Sequence, residues 1–405
     1  MSDAISRVIS LYSGVGGLDF GFEAAGFETA VALEMDGAAC RNLRTNRTWP
    51  VLEGDINQFT SAEILEAGSL SAGSADVLIG GPPCQPFSKS GYWHSGDAKR
   101  LDDPRADTLD AYLRVLRDTR PKVFLLENVP GLAYKGKSEG LDRILETLEA
   151  INHETGTRYA PCWDVINAAD FGVPQMRERF VMVAARDGAR FAFPKPTHGE
   201  GRHRYHSCWD ALGDLPEQPN EPNLKMTGKW AALLPTIPEG QNYLWHTERG
   251  GGEPLFGWRR RYWSFLLKLA KDRPSWTIQA QPGSATGPFH WDNRRLSSRE
   301  LCRLQTFPDT VTVTGSRQDI QRLIGNAVPS LLAEVLAHEI ATQLLGMALP
   351  APRPTLEPPS RTTPPPRPAI ERIPAQYAQL RGEHSAHPGN GQGYGAARRQ
   401  RAHAT

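Results

Sequence analysis

The chain has 405 residues, of which 39% are hydrophobic and 22% charged. This composition is typical of a soluble globular protein, and the length allows two or three domains. No apolar run approaches a membrane span and no signal-peptide pattern is found, so we expect a cytoplasmic protein without membrane contact. The five cysteines do not suggest a disulfide framework, and no CxxC pair or His/Cys cluster predicts a metal. The net charge of +1 neither predicts nor excludes a nucleic-acid partner.

The first elements predict a nucleotide-type binding turn. Residues 8–12 read as a strand, residues 13–17 (Ser-Gly-Val-Gly-Gly) as a turn, and residues 18–25 as a helix. Glycines at a helix N-terminus let a ligand approach the backbone closely. A second strand at residues 29–33 ends at Glu34, and an acidic residue about 20 positions after the glycines is placed to bind ribose hydroxyls.

The next strand leads to a cysteine that follows two prolines. An apolar run at residues 76–79 is followed by Gly80-Gly81-Pro82-Pro83-Cys84-Gln85. Proline fixes φ and removes a donor, so this backbone continues neither as helix nor as central strand. The sulfur is therefore predicted on a stiffened loop at the carboxyl end of a strand, where open α/β sheets bind ligands. A lone cysteine is otherwise most often a small buried thiol.

Further along the chain, charged side chains are predicted at the same sheet edge. After a helix around residues 109–116, a strand at 121–126 delivers Glu127 to the edge that carries Cys84, although a carboxylate there could simply cap a helix. Arg177 and Arg179 alternate with other residues before a strand at 180–184, so both guanidiniums could face one side. Strands that alternate with helices predict an α/β fold with an open, mostly parallel sheet.

The amino-acid composition of the chain changes from about residue 193. Residues 194–295 are rich in proline, glycine, histidine and tryptophan and show no alternation of predicted strands and helices. Order returns with a helix capped by Ser297 or Ser298, and a last amphipathic helix is predicted from residue 330 to about 345. Residues 350–405 are rich in proline, arginine and small polar residues, and are predicted to be disordered because they bury too little apolar area.

These motifs, in this order, resemble the DNA cytosine-5 methyltransferase family over most of residues 7–347. Each motif alone is weak evidence, but five in sequence order are specific. The stretches that carry the resemblance are Ser13-Gly14-Val15-Gly16-Gly17, Pro82-Pro83-Cys84-Gln85, Glu127-Asn128-Val129, Gln175-Met176-Arg177-Glu178-Arg179 and Gly325-Asn326-Ala327-Val328-Pro329.

The resemblance implies a Rossmann-like, S-adenosylmethionine-dependent methyltransferase sheet with a small irregular target-recognition domain. Residues 1–193 would form the catalytic and cofactor-binding domain, 194–295 the target-recognition domain, and 296–349 a part that packs back on the first. The substrate would be double-stranded DNA, with the target cytosine flipped out at a cost of roughly a few kcal/mol. Arg294, Arg295, Arg299 and Arg303 would serve structure and phosphate contact.

The resemblance also assigns catalytic roles. Cys84 would add to C6 of the cytosine, and C5 would then take the methyl group. Glu127 would hydrogen-bond the ring N3 and the exocyclic amine. Arg179, together with Arg177, would orient the ring or stabilise charge near its O2. Gln85, Ser88, Arg259 and Arg260 are expected to contact DNA.

Cofactor roles follow from motif positions. Tyr12, Gly14, Val15 and Gly17 would line the methionine and ribose end of S-adenosylmethionine. Glu34 would bind the ribose hydroxyls, Met35 would pack on adenine, Asp55 would take the adenine amino group, and Ile56 would lie beside the ring. Pro83, Leu109, Asn326 and Val328 would complete the pocket. Two positions depart from the family pattern: Tyr12 stands where phenylalanine is more usual, and Met35 replaces a common aromatic residue.

Four other interpretations compete with this one. A nicotinamide-dependent oxidoreductase explains the glycine turn but gives residues 82–85 and 175–179 no role. An enzyme that methylates exocyclic amines would carry an aromatic residue where this chain has Cys84. A tRNA cytosine-5 methyltransferase, whose Cys-Phe-Thr motif is not found here, and a catalytically silent DNA-binding regulator remain alternatives. The compact architecture resembles a monomeric bacterial modification enzyme, genetically linked to a restriction endonuclease.

Overall fold

A computed structural model describes residues 6–83, 107–133, 139–257, 261–351 and 353–381. Among these residues no helix is both long and apolar enough to cross a bilayer. The strands of this part of the chain are β1 Ser6–Leu11, β2 Phe27–Glu34, β3 Val51–Glu53, β4 Val77–Gly80, β5 Val123–Asn128, β6 Cys162–Asn167, β7 Gln175–Met176, β8 Glu178–Ala185 and β9 Ser275–Trp276.

The described strands form one large sheet and one small one. The large sheet has seven strands in the order β3-β2-β1-β4-β5-β8-β6, and β7 pairs with β9 separately. Strands β1 to β5 are mutually parallel, whereas β8 runs antiparallel to both β5 and β6. The predicted α/β fold with a mostly parallel sheet is confirmed.

The strand order places a topological switch point between β1 and β4. From β1 the chain moves outward through β2 and β3, and then returns to β4, which pairs with the other side of β1. Ligands of open α/β sheets bind at the carboxyl ends of strands beside such a switch point. The glycine turn after β1 and the Gly81-Pro82-Pro83 loop after β4 both leave the sheet there.

Helices cover both faces of the sheet. Their bounds among the described residues are α1 Gly17–Ala24, α2 Gly37–Asn46, α3 Ser61–Ala67, α4 Asp107–Thr119, α5 Glu139–Thr155, α6 Cys208–Leu212, α7 Ser298–Leu304, α8 Arg317–Asn326 and α9 Ser330–Ile340. Ser297 caps α7 as predicted: its hydroxyl accepts the Glu300 amide at 3.2 Å, and the Glu300 carboxylate accepts the Ser297 amide at 2.7 Å. Such a reciprocal box satisfies two amides that the helix itself leaves unpaired.

Both faces of the central strands are buried. In β4, Val77 and Ile79 pack into one apolar layer and Leu78 into the opposite one. Because parallel strands covered on both faces need apolar side chains at every position, the run reads as continuously hydrophobic. The first layer includes α1 and α9, which come from opposite ends of the described chain. They approach so closely that a Cβ on Gly21 would stand 2.3 Å from the Ser330 carbonyl oxygen.

Residues 194–295 contain few regular elements. They hold α6, single turns at Ala231–Thr236 and Tyr243–His246, and the short strand β9. Aromatic and aliphatic side chains such as Leu233, Phe256, Phe265 and Phe289 form a separate apolar cluster. Pairing of β9 with β7 links this region to the segment just before β8.

The C-terminal segment differs from the sequence prediction. Residues 353–381 are not a free tail, because they lie along the surface from α9 to the irregular region. Thr355 and Leu356 donate their amides to Glu334 at 2.6 and 2.9 Å, and Arg361 donates its amide to Asp210 at 2.7 Å. Tyr377 is 3% exposed and stacks on Trp230. The composition correctly indicated that this segment has no core of its own, but a segment can also be ordered by packing on another surface.

Candidate active site

Glu34 holds the glycine turn in place. The Gly14 amide donates to its Oε2 at 2.8 Å and the Asp36 amide to its Oε1 at 2.8 Å. Burial raises the pKa of Glu34, and these two donors partly offset that effect. Gly14 has φ +54°, a left-handed conformation that favours glycine. A carboxylate offers about four acceptor sites, so Glu34 keeps acceptor capacity for a ligand.

The space in front of the turn suits a cofactor. A Cβ built on Gly14 meets no atom of the described residues within 4 Å, so among them the backbone there borders open space. On the other side of the turn, a Cβ on Gly17 would stand 2.3 Å from the Val328 carbonyl oxygen. The predicted residues Val328 and Asn326 are therefore brought to the glycine turn, with Val328 buried and Asn326 exposed.

The remaining predicted cofactor residues line the same edge. Tyr12 donates to the carbonyl of Thr108 at 2.6 Å, and the Thr108 hydroxyl donates to the carbonyl of Pro83 at 3.3 Å. Tyr12 also packs with Ile56 and Leu109 in one apolar cluster. Two more predicted residues are exposed: Met35 after β2, which is 67% exposed, and Asp55 after β3. The side chain of Val15 is buried in a different apolar cluster, so only its backbone is available to a ligand.

The proline loop is anchored to the end of β5. The Asn128 side-chain amide donates to the Pro82 carbonyl at 3.2 Å. A Cβ on Gly81 would stand 2.7 Å from Oε2 of Glu127, so only glycine leaves room for this carboxylate. Cys84 follows Pro83 in the chain, and Cys84, Gln85 and Ser88 lie outside the described residues.

Glu127 and Arg179 form a partly buried ion pair at this edge. Nε of Arg179 lies 2.7 Å from Oε1 of Glu127, and each side chain is 12% exposed. Burial raises the pKa of Glu127, whereas the charges of Arg179 and Arg177 oppose that rise. Of the predicted catalytic residues that the structure describes, these two are brought into direct contact.

Arg177 does not join them, which corrects the expectation that both arginines serve the substrate. Its guanidinium is 1% exposed and donates to the carbonyls of Gly325 at 2.7 Å, Ala327 at 2.9 Å and Ile278 at 3.2 Å. Arg177 thus holds the Gly-Asn-Ala-Val-Pro segment beside the glycine turn. Sequence reasoning also missed Gln305, whose amide donates to the Ile324 carbonyl at 2.7 Å and has no local motif around it.

The other cysteines are poor nucleophile candidates. Burial raises the pKa of Cys40 and of Cys302 to about 12, and also raises the pKa of Cys208. Cys162 begins β6, in register with Leu125 of β5, and the whole of strand β8 lies between β6 and the strand that carries Glu127. The described thiols are therefore structural or remote from the carboxylate.

Two exposed tryptophans lie near the site and were not predicted. Trp276 on β9 is 39% exposed and Trp263 is 54% exposed, with their ring centroids 5.6 Å apart. Their exposure depends on the tertiary structure and cannot be read from the sequence.

Arg259 and Arg260, the predicted DNA contacts, lie outside the described residues. Arg294 donates two hydrogen bonds to the carboxylate of Glu300, at 2.7 and 2.8 Å, in agreement with a structural role.

Comparison with known proteins identifies the family. The model of the C-5 cytosine-specific DNA methylase family matches residues 6–342. The chain belongs to this family. This DNA cytosine-5 methyltransferase is 42% identical to the Type II methyltransferase M.SacI of Streptomyces achromogenes, over 83% of its own length and 93% of the relative's. It is 34% identical to the Type II methyltransferase M.NgoFVII of Neisseria gonorrhoeae, over 82% and 86% respectively.

Solved structures show the same fold at lower identity. A putative DNA modification methyltransferase encoded within an Escherichia coli prophage superposes on this cytosine-5 methyltransferase with a TM-score of 0.63 and 20% identity, covering 84% of this chain and 99% of that one. A Spodoptera frugiperda DNMT2 mutant superposes with a TM-score of 0.55 and 18% identity, covering 83% and 99%. These similarities concern the fold of S-adenosylmethionine-dependent methyltransferases.

Proposed function

We propose that the protein methylates C5 of a flipped-out cytosine in a short duplex DNA sequence, through a covalent bond between Cys84 and C6. The observation that carries this proposal is the Glu127–Arg179 pair, which lies against the Gly81-Pro82-Pro83 loop that leads directly to Cys84. An acidic group, a guanidinium and the segment before a cysteine thus share the edge that also holds the glycine turn.

Cys84 acts as the nucleophile. Its thiolate bonds to C6, which turns C5 into a carbon nucleophile. C5 would then take the methyl group as the bond between that methyl and the donor's sulfonium sulfur breaks, leaving a neutral thioether. Loss of the C5 proton to a base, with water as the simplest candidate, restores the ring and breaks the sulfur–C6 bond. A free cysteine is only a few per cent thiolate at neutral pH, but that form is intrinsically very nucleophilic.

Glu127 and Arg179 hold the cytosine and its charge. The Glu127 carboxyl, sharing a proton with N3, neutralises the negative charge that would otherwise accumulate there when sulfur adds to C6, and it accepts a hydrogen bond from the exocyclic amine. Arg179 keeps the carboxylate oriented through Nε and donates from Nη1 to the Glu178 carbonyl at 2.7 Å, and the N–H groups that remain are directed toward the ring O2. Burial of both side chains strengthens these contacts because little water competes for them.

The glycine turn binds S-adenosylmethionine, which supplies a methyl group on a sulfonium. Three features of the cleft fit this molecule: open space at Gly14, free acceptor capacity on Glu34 for ribose hydroxyls, and the exposed apolar side chain of Met35 for adenine. Asp55 accepts from the adenine amino group, and Tyr12 closes the methionine end. Arg177 is a positioning residue that acts through residues 325–328.

The DNA duplex contacts the irregular region between residues 194 and 295. Arg259 and Arg260 provide phosphate contacts in this proposal, and Gln85 and Ser88 contact the DNA beside the target base. The exposed pair Trp263 and Trp276 extends the surface next to β7, and aromatic rings stack on bases irrespective of sequence. A Trp276→Ala variant should therefore weaken DNA binding while leaving cofactor binding intact.

The biological role that we propose is protection of DNA from a cognate restriction endonuclease. Its support is the Type II designation of the two relatives described above. DNA from the host should resist a nuclease that cuts the sequence found to be methylated. We further propose a monomer in the cytoplasm, which size-exclusion chromatography and cell fractionation would test.

The first experiment measures transfer of labelled methyl groups from S-adenosylmethionine to unmethylated plasmid DNA, followed by bisulfite sequencing. We expect C5 label in one short recurring sequence. Cys84→Ala should abolish transfer, whereas the matched control Cys162→Ala should retain it. Full activity of Cys84→Ala would refute the mechanism. Label in tRNA instead of DNA would indicate an RNA methyltransferase, and cofactor binding without transfer would indicate a regulator.

The covalent step has a separate test. Fluorine at C5 cannot leave as a cation, so DNA containing 5-fluorocytosine should remain bonded to Cys84 after methyl transfer. A denaturing gel would then show a stable protein–DNA complex with the wild type and with Cys162→Ala, but not with Cys84→Ala. Methylation that proceeds without any such complex would contradict a sulfur–C6 bond.

A further inference from the structure

Two histidines and a glutamate meet far from the active-site edge. His198 and His206 precede α6, and Glu357 belongs to the C-terminal segment. Nε2 of His206 lies 2.9 Å from Oε1 of Glu357, and Nε2 of His198 lies 3.4 Å from the same oxygen. Both histidines are 5% exposed. The sequence predicted no metal site because these residues are not clustered along the chain in any ligand spacing.

The spacing of these three atoms matches a metal coordination sphere. All three ligand atoms lie within 4.8 Å of one another. Zn²⁺ binds imidazole nitrogen and carboxylate oxygen at about 2.0–2.2 Å, which places neighbouring ligands of a tetrahedron roughly 3.4 Å apart. Two histidines and one glutamate form a known three-ligand zinc set that leaves a fourth position for water.

The opposite ring nitrogens face oxygen atoms, which is usual for histidines that bind a metal through their other nitrogen. Nδ1 of His198 lies 2.9 Å from the Thr197 hydroxyl, and Nδ1 of His206 lies 3.8 Å from Oδ2 of Asp210. Asp210 is held in place by hydrogen bonds that its carboxylate accepts from Arg204 at 2.9 Å, from the Ser207 hydroxyl at 2.9 Å and from the Arg361 amide at 2.7 Å. A carboxylate behind a ligating imidazole fixes the tautomer and increases the basicity of the other nitrogen.

His206 therefore has an acidic group on each side, and its buried Nδ1 has no hydrogen-bond partner in the part of the chain that the structure describes. A neutral imidazole carries one proton, so it can satisfy either Asp210 or Glu357 but not both. A metal ion bound to both Nε2 and Glu357 resolves this conflict. The single imidazole proton then lies on Nδ1 and points to Asp210.

The surroundings give an ion access. The three residues line a cavity of about 720 Å³, and Glu357 is exposed. His203 and His338 line the same cavity, and within the described residues Nε2 of buried His338 has no hydrogen-bond partner. We propose that His198, His206 and Glu357 bind a divalent transition-metal ion of the Zn²⁺ type, which ties the C-terminal segment to the body of the enzyme.

The test uses the full chain, freed of metal with a chelator and titrated with Zn²⁺ alone by calorimetry. We expect one ion per chain, and at least tenfold weaker binding for each of His198→Gln, His206→Gln and Glu357→Gln. His153→Gln, on the exposed C-terminal turn of α5, is the matched control and should bind as the wild type does. Absence of binding, or binding that none of the three variants weakens, would overturn the proposal.

A second measurement needs no variant and does not depend on methyl transfer. Co²⁺ bound to the wild type should give the intense visible absorption of a four-coordinate ion, whereas the weak spectrum of six-coordinate Co²⁺ would count against the site. Zn²⁺ should also slow hydrogen exchange at the amides of Thr355 and Leu356, which adjoin Glu357. Unchanged exchange at saturating Zn²⁺ would refute the tethering role.

Discussion

Glu127 is the described residue whose charge state bears most directly on the proposed chemistry. Arg179 opposes the effect of burial and favours a carboxylate, while Gly81 leaves the space that this carboxylate occupies. The carboxylate is thus oriented before substrate binds, and such preorganisation accounts for a large part of the rate enhancement in many enzymes. Removing its charge should affect turnover more than cofactor binding.

Glu127→Gln should lower kcat by about a hundredfold to ten-thousandfold, which is the usual contribution of a positioned acid–base group to the rate. The affinity for S-adenosylmethionine should remain unchanged. Glu23→Gln is a matched control, because Glu23 accepts from Nε of Arg47 at the same 2.7 Å but lies away from the site. The measurement is steady-state transfer to a methylatable duplex. Equal rates for the two variants would show that Glu127 only stabilises the fold.

Asp19 makes stability depend on pH. Its side chain is fully buried, one oxygen has no hydrogen-bond partner, and burial raises its pKa to about 7. In the unfolded chain this carboxyl titrates at about 3.9, so between about pH 4 and pH 7 only the folded state holds the proton. The stability contributed by the protonated group is therefore lost progressively as pH rises through this window.

Asp19→Asn should remove the loss of stability that the wild type shows as pH rises. From pH 5 to pH 8 the unfolding free energy of the variant relative to the wild type should rise by about 2–3 kcal/mol, and then remain level. Urea denaturation at several pH values measures this difference. Asp164→Asn, an exposed carboxylate on β6, controls for the loss of one negative charge. A difference that does not change with pH would contradict the raised pKa of Asp19.

At the scale of elements, one guanidinium joins three parts of the chain. Arg177, just before β8, binds the carbonyl of Ile278 after β9 and the carbonyls of Gly325 and Ala327 at the end of α8. The planar fork of arginine serves several carbonyls at once, which the single ammonium of lysine cannot do. The position of residues 325–328 against the glycine turn depends on this clamp.

Arg177→Lys should lower the unfolding free energy by about 3 kcal/mol, as expected when a buried charged group loses hydrogen-bond partners. It should also weaken S-adenosylmethionine binding at least tenfold. Arg186→Lys is the matched control, because Arg186 binds the carbonyls of Gly73 at 3.0 Å and Arg120 at 2.5 Å on another part of the surface. The control should lose stability and keep its cofactor affinity. Cofactor affinity that falls equally in both variants would exclude a positioning role.

At the scale of the whole molecule, the C-terminal segment connects parts that lie far apart. It contacts Glu334 in α9, Asp210 in α6 and Asp272 near β9, and it ends with Tyr377 in the apolar cluster of the irregular region. Tyr377 stacks on Trp230 and donates to the Lys229 carbonyl at 2.8 Å. The segment therefore connects α9, beside the large sheet, with the irregular region.

Tyr377→Ala should cost about 3 kcal/mol, the typical penalty for removing a buried aromatic ring. Residues of the segment should then become accessible to proteases. Ile370→Ala in the same segment is the control, because Ile370 is 48% exposed and should change stability by less than about 0.5 kcal/mol. Thermal unfolding and limited proteolysis measure both effects. Equal stability of the two variants would indicate that the segment is only loosely attached.

The sequence by itself determined the central strands β1, β2, β4, β5 and β8, the glycine turn and the carboxyl edge that carries Glu127, because these follow from short-range patterns of apolar residues, glycine and proline. It did not predict β6, β7 or β9. The order of motifs was also sufficient to indicate the family. The helix capped by Ser297 was predictable for the same reason, since a capping box lies within four residues.

Only the tertiary structure decided which distant residues became neighbours. Arg177 and Arg179 have the same residue type and similar sequence surroundings, yet one binds carbonyls about 150 residues away and the other binds Glu127. Likewise, His206 and Glu357 are separated by 151 positions, and the ordered C-terminal segment has no core of its own. Such contacts arise from packing between elements, so no local pattern in the sequence encodes them.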